Sequence, residues 1–487
     1  MQLNRFYDYE KGLSDKKKKE LGIVYTPENI VDYINKKTLS NWDYSHPPKV
    51  CDFSCGTGVF LMDMANKIAD RWNLSLEEVM SKYIFGNDID QGAVDICKKL
   101  LGCNNITAMN GIDYDCSPYD IIVANPPYVR IQKCDKETRE KIKKYSWCVG
   151  DTDLYIAFLE MIVKSNKIFG LICPNSWIKN LHTQHVRNHL LQARPVFELI
   201  DFRNELVFDS VQTYCSMIFG KQGLHDSYQL KTDIGSKGET KQYKNVDNAN
   251  FYLFDEEVES LKGMDSSGNS FLDHFNFNVG LATLSDKVYF LENVVDRGDG
   301  LLYCAKKDLL IEKGIVKLCY KNGKFNRYDG TVRDKIIYPY DESTKLLTEE
   351  ALKTNYPLAY NYLLLNKERL LKRDGGKLKK KLDNGKAKWY EYGRRQGLSI
   401  QKEKILIGTI GKKVPFLSVS AGLFISGYAI SEKSSSPYTL KDAIKILKSK
   451  SMALSLTLRG KPLQGGYYSI NKQFFKNIKF NGDDNES

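Results

Sequence analysis

No apolar run in this chain approaches the length of about 18 residues needed to span a bilayer, so no membrane helix is expected. The opening stretch, MQLNRFYDYEKGLSDKKKKE, has no apolar core and does not read as a secretory signal. Paired cysteines are also missing. The 11 cysteines are odd in number and scattered, and none forms a CxxC, so neither a zinc site nor a disulfide framework is indicated and no metal is expected. Cys51 and Cys55 flank a turn and read as free thiols, which fits a reducing cytoplasm. No internal repeat is visible. The first 223 residues have no net charge either, with 28 Lys+Arg against 28 Asp+Glu.

The whole +12 therefore lies in residues 224–487, and it is densest in KERLLKRDGGKLKKKLDNGKAKWYEYGRR, residues 367–395. A neutral half joined to a basic half points to a polyanionic partner for the second half. A chain of 487 residues exceeds one ordinary core and implies two or three domains. The expected division is a catalytic domain at 1–223, a polar, irregular linker at 224–250, a second domain at 251–480 and a frayed tail at 481–487.

Residues 23–170 alternate strand and helix signals. In VYTPENIVDYINKKTL, Thr26 is expected as N-cap and Pro27 as the first helical residue. KVCDF, YIFGNDID, DIIVAN and KIFGLICP read as strands, with helices at GVFLMDMANKIADRW, GAVDICKKLL and DLYIAFLEMIV. This alternation predicts an α/β domain with a mainly parallel sheet covered by helices on both faces. Right-handed crossovers then place every strand's C-terminal loop on one edge, where ligands of such sheets bind. Beyond 250 the pattern shifts to short β-like runs (KVYFL, KILIGTI, FLSVSAGLFISGYAI) around one helical stretch, LKDAIKILKSKSMALSLTLR, which predicts a mixed α+β domain.

Four motifs fall in those loops. VCDFSCGTGVFL runs a strand into Asp52, then Ser54 and the glycines Gly56 and Gly58, then a helix. It is half of a GxGxxG fingerprint, with Leu61 where the third glycine would be, so a ligand without phosphate fits better than a dinucleotide. FGNDID ends a strand in Asp88, beside Ile89, about 30 residues past the glycine turn against a usual ~20. A carboxylate placed there can accept both hydroxyls of a ribose, whereas Asp90 reads as a helix cap. In NGIDYD, Asp113 can accept from an adenine amine, and Asn110 competes for that role.

The fourth is IIVANPPYVR. A strand stops at Asn125, Pro126, Pro127 and Tyr128. Prolines explain a turn but not an amide before it or an aromatic after it. A planar ring bearing NH₂ explains both flanks. Asn125 Oδ1 and the Pro126 carbonyl can each accept one N–H and localise the nitrogen lone pair, while Tyr128 stacks on the ring.

The order VYTPENIV, DFSCGTG, NDID, NGID, NPPY resembles that of the gamma-class, TaqI-type, N6-adenine DNA methyltransferases, over about residues 20–220 well and the C-terminal half loosely. The resemblance implies a Rossmann-like methyltransferase domain using S-adenosyl-L-methionine as methyl donor, followed by a target-recognition domain. It implies that Thr26 opens the segment over the methionine end of the donor, that Asp52, Gly56 and Gly58 lie beneath it, and that Asp88 holds its ribose and Asp113 its adenine. A second aromatic for the flipped base falls at Phe208 in ELVFDSVQTYCSMI, with Tyr214 in reserve. VGLATLSDKVYFL and YGRRQGLSIQKEKILIGTI resemble recurring pieces of the recognition domain. Arg394, Arg395 and Lys412, interleaved with Trp389, Tyr390 and Tyr392, are its candidate DNA contacts.

The resulting expectation is a monomeric, cytoplasmic enzyme that methylates N6 of an adenine extruded from double-stranded DNA. RNA adenine or protein glutamine stands as the alternative acceptor, since either offers a comparable amine to the same turn. No PD…(D/E)xK arrangement is evident, which leaves room for a separately encoded restriction endonuclease as partner.

Overall fold

The computed structural model describes residues 4–480 apart from 25, 151, 209–212, 267, 324, 326–327, 329–331, 374–381, 383–386, 395, 399–401 and 464–465. Two compact units divide it, Met1–Val258 and Glu259–Ser487. The boundary sharpens the charge asymmetry. Residues 1–258 hold 32 basic and 35 acidic side chains, a net −3, and residues 259–487 hold 40 and 25, a net +15.

The first unit is built on a nine-stranded sheet of order β3-β2-β1-β4-β5-β7-β6-β8-β9. Strands β1 (Val50–Asp52), β2 (Ile84–Asp88), β3 (Ile106–Ala108), β4 (Ile121–Ala124) and β5 (Ile168–Pro174) are parallel. Near-continuous apolar runs such as IIVA in β4 suit strands buried on both faces. The parallel run ends at β7 (Tyr214–Gly220), which enters antiparallel between β5 and β6 (Val196–Leu206).

The sheet also continues where a linker is expected. Strands β8 (Ser227–Lys231) and β9 (Glu239–Gln242) extend it, so 224–250 belongs to the first unit. The reason lies in SYQLK: Tyr228 and Leu230 alternate inward and are buried. Lys231 Nζ stands 3.4 Å from Glu198, a buried carboxylate that also accepts from Tyr33 and pairs with Lys37.

Helices α1 (Asn4–Gly12) and α2 (Asp15–Leu21) precede α3 (Glu28–Leu39). The N-cap of α3 is Pro27, one residue later than expected, and Thr26 caps nothing. Helices α4 (Val59–Trp72), α5 (Leu76–Lys82) and α6 (Gln91–Leu101) link the first strands. Further on, α7 (Lys136–Ile142) and α8 (Tyr155–Lys164) lie between β4 and β5.

The second unit is mixed α+β. One four-stranded sheet joins Phe275–Val279, Tyr428–Glu432, Lys404–Ile407 and Phe416–Val419 in antiparallel pairs. Another contains Lys335–Ile337, Val316–Lys321 and Leu423–Ile425. The helical stretch expected as one piece is two helices, Leu440–Lys448 and Lys450–Arg459. Ser449 in extended conformation breaks them apart and caps the second. No helix among the described residues is long and apolar enough to cross a membrane.

Candidate functional site

The C-terminal ends of β1, β2, β3 and β4 open onto one cavity of about 220 Å³ in the first unit. At β1 the chain turns through Gly56 (φ 53°) and Gly58 (φ 96°) into α4. Side chains rarely adopt such angles, and a Cβ on Gly58 would also lie 2.6 Å from Cys97 Sγ. The missing third glycine is explained next door. Leu61 is fully buried, and Gly86 on β2 makes room for it, since a Cβ there would come within 2.7 Å of Leu61 Cδ1.

Two carboxylates face the turn. Asp52 Oδ1 accepts from Ser54 N at 2.9 Å. Asp88 Oδ2 accepts from Gly56 N at 2.8 Å and its Oδ1 from Asp90 N at 2.9 Å. Burial pushes the Asp52 carboxyl up to about 8, with the Asp88 charge adding to the shift, and burial raises Asp88 too. A buried acid, Asp52, beside a half-buried one, Asp88, suits a ligand that brings its own donors, such as an ammonium and ribose hydroxyls. Ile89 beside them is an apolar side chain 56% exposed at the cavity wall. Asp90 sits at the N-cap of α6 but makes no capping bond. Its carboxylate instead accepts from Tyr9 at 2.8 Å and pairs with Lys17 at 3.3 Å, fastening the N-terminal helices.

After β3 the structure separates Asn110 from Asp113. Asn110 lines the cavity and donates to Thr138 Oγ1 at 2.9 Å. Asp113 does not line it. The short 3₁₀ turn Gly111–Asp113 carries its carboxylate away to Lys141 (2.6 Å) and Lys144 (3.5 Å), which hold it below the usual carboxylate range. The assignment of Asp113 to the donor's adenine is corrected accordingly.

After β4, Asn125 and Pro127 line the cavity. Asn125 Nδ2 donates to the Val24 carbonyl at 3.2 Å and to Thr26 Oγ1 at 2.9 Å. A carbonyl can only accept, which fixes which end of the amide is nitrogen. Asn125 Oδ1 is buried and has no hydrogen-bond partner among the described residues. Gly22 (φ 67°) lets the preceding strand of chain press on the turn, with a Cβ there 2.7 Å from Tyr128 N.

Tyr128 is half-buried, with its hydroxyl 3.8 Å from Cys215 Sγ. Phe208 is fully buried. Its ring lies 6.2 Å from that of Tyr128 and is inclined at 64°. The pair is edge-to-face, so a base stacked between them requires the rings to separate. Tyr214 is buried at the start of β7. Pro126 is buried within the turn and is not part of the cavity lining.

The cavity also takes Tyr7, Glu20, Leu21 and Gly22 from the N-terminal segment, which sequence reasoning passed over. The available signal was Phe6–Tyr7, an aromatic pair in a charged stretch, both now buried. In the second unit Arg394 and Lys412 are exposed, and Arg395 lies outside the described residues. Trp389, Tyr390 and Tyr392 are core residues rather than surface platforms. Tyr392 OH donates to the Ile337 carbonyl and Trp389 Nε1 to Glu349. Among the described residues no three His, Cys, Asp or Glu side chains cluster as metal ligands would.

Comparison with known proteins agrees with this architecture. Residues 104–208 match the family model described as Eco57I restriction-modification methylase. The chain is 22% identical to the type II restriction enzyme and methyltransferase RM.Eco57I of Escherichia coli, over 84% of this chain and 51% of that protein. It is 27% identical to the type II methyltransferase M.BanIII of Aneurinibacillus aneurinilyticus, over 50% of this chain and 43% of that one. The chain thus spans about half the length of these curated relatives. Among solved structures, the type IIL restriction-modification enzyme MmeI in complex with DNA shares the fold, with a TM-score of 0.60 at 13% identity over 96% of this chain and 69% of that one. The chain is thus similar to Eco57I-type restriction-modification methylases over the segment that contains the Asn-Pro-Pro-Tyr turn, and it shares with the solved relative an α/β fold followed by a further domain.

Proposed function

We propose that this chain transfers a methyl group from S-adenosyl-L-methionine to N6 of an adenine flipped out of duplex DNA. The observation that carries the reading is Asn125 Oδ1, a buried acceptor with no partner among the described residues, at the wall of the cavity that Asp52 and Asp88 share. An unpaired buried acceptor costs about 1–3 kcal/mol. Such a cost is retained where the missing donor arrives with a substrate. An amino group is such a donor. The named type II methyltransferases among the relatives and the net +15 of residues 259–487 favour an amine on a nucleic acid.

The residues fit the methyl donor. Asp52 takes its ammonium, Asp88 its ribose hydroxyls, and Asn110 with the flat side of Ile89 its adenine. Bound there, S-adenosyl-L-methionine supplies an electrophilic methyl group on a sulfonium. The chain's own part is positioning. Asn125 Oδ1 accepts one hydrogen of the target amine and turns its lone pair out of the ring plane, while Pro126, buried and outside the cavity lining, is left with the role of fixing the turn rather than that of second acceptor. Tyr128 holds one face of the ring once Phe208 has moved aside. Transfer makes the nitrogen cationic and acidic, so its proton leaves without a dedicated base.

The test offers labelled S-adenosyl-L-methionine with unmethylated duplex DNA, RNA or a glutamine-bearing protein, followed by nucleoside analysis. N6-methyladenine in DNA is the expected product. Label appearing only in RNA or protein would overturn the reading.

A further inference from the structure

Within the second unit, a cleft of about 540 Å³ opens beside the turn at residues 281–287. That turn belongs to VGLATLSDKVYFL, a motif to which the cavity of the first unit gives no role. Four cationic side chains line the cleft: Lys287, Arg369, Lys372 and Arg373. Arg373 is only 5% exposed. Its four hydrogen bonds among the described residues all end on backbone carbonyls: Nε on Leu370 (2.7 Å), Nη1 on Thr283 and Glu391 (2.9 Å each), and Nη2 on Trp389 (3.0 Å). A guanidinium stays charged under all conditions a protein meets. Carbonyls satisfy its donors but bring no formal negative charge, so the cleft wall carries a positive charge in a medium that screens it poorly.

One acid lines the cleft and offsets one of the four positive charges, leaving the cleft cationic. Asp286 accepts from Thr283 Oγ1 and lies 3.5 Å from Ser426 Oγ, where it holds the turn together. Arg369, Lys372 and Lys287 are exposed at the rim. Lys372 pairs with Glu368 at 2.5 Å, but the two side chains are 75% and 82% exposed, so the pair is readily exchanged for another anion.

We propose that this cleft binds phosphodiester groups of duplex DNA, with Arg369 and Lys372 as direct contacts and Arg373 as the buried charge that sets the potential. The inference rests on the proposed function for its partner. It adds a site to the expected contacts Arg394 and Lys412, which are exposed, while the aromatics interleaved with them at 389–392 are core.

The test measures binding of a fluorescent DNA duplex by the full chain across salt concentration. Neutralising two phosphate contacts contributes a slope of about 1.8 in log affinity against log salt. Arg369→Ala/Lys372→Ala should therefore flatten the slope by about that amount, so that between 50 and 200 mM salt the variant loses about tenfold less affinity than wild type. Lys441→Ala/Lys445→Ala removes the same charge from the exposed face of the helix Leu440–Lys448 and should leave the slope nearly intact. An unchanged slope in the first variant, or equal flattening in both, would overturn the cleft while leaving the methyltransferase reading standing. An RNA duplex that competes equally through the same two residues would overturn the choice of DNA. A wild-type protein that binds no duplex would overturn the proposed function itself.

Discussion

Asn125→Ala separates function from stability with unusual clarity, because the side chain both makes bonds and leaves one unmade. Truncation removes two donated bonds, to Val24 and Thr26, each worth about 0.5–1.5 kcal/mol net. It also removes Oδ1, whose unpaired burial costs about 1–3 kcal/mol. The contributions nearly cancel, so stability should change by no more than about 1 kcal/mol, or about 2–4 °C in thermal midpoint for a unit of this size. Activity should behave differently. Loss of one preorganised hydrogen-bonding group aimed at developing charge lowers turnover by about 10²–10³-fold. The assay pairs initial rates of labelled methyl incorporation into unmethylated duplex with thermal melts of the same preparations. Methylation at a rate close to wild type would refute the acceptor role. Lost activity accompanied by a large fall in the midpoint would refute the cancellation and make Asn125 a structural residue. Asn125→Asp sharpens the contrast, since it sets a second acceptor against the Val24 carbonyl and should destabilise the fold where alanine does not.

Three further outcomes follow from the same geometry. Asp52 has its carboxyl at about 8 in the folded chain against an ordinary 3.8, so its stabilising protonation is fully present below about pH 4 and is lost as pH rises through about 8. Asp52→Asn should flatten the fall in melting temperature of the ligand-free protein across that window, leaving the share due to Asp88. Gly58→Ala should cost about 1–3 kcal/mol in urea unfolding from backbone strain alone, with overlap against Cys97 adding to it. Titration calorimetry with S-adenosyl-L-methionine should show about tenfold weaker binding for Asn110→Ala, the loss of roughly one hydrogen bond, and little change for Asp113→Ala.

Local signals proved most informative where one residue type answers one steric demand. Gly56 and Gly58 mark a left-handed turn, and the buried runs KVCDF and DIIVAN mark central strands, so the edge carrying Asp52, Asp88 and Asn125 was legible. Long-range pairing was not. Nothing local in YCSMIFG says that β7 inserts antiparallel between β5 and β6, because burial on both faces looks the same in either direction. Polar strands at the end of a sheet are harder still, and SYQLK and the edge strand ETKQ read as linker because only one face of each needs apolar residues. Asp113 failed for a different reason. Its main lysine partner, Lys141, arrives from α7, 28 residues on, and no short-range pattern distinguishes an acid that faces a ligand from one that faces a lysine. The aromatics at 389–392 likewise conceal a core, since Trp and Tyr bury their rings while keeping a polar tip bonded.

The unpaired oxygen of Asn125 also works as a filter. A keto oxygen presented to the turn would set one acceptor against another at a buried oxygen. On the proposed function, bases that carry oxygen in place of the amine would be refused by the same atom that accepts from the target amine. Fidelity of this kind is insensitive to how tightly the rest of the ring is held, because the mismatch is one of polarity rather than of shape.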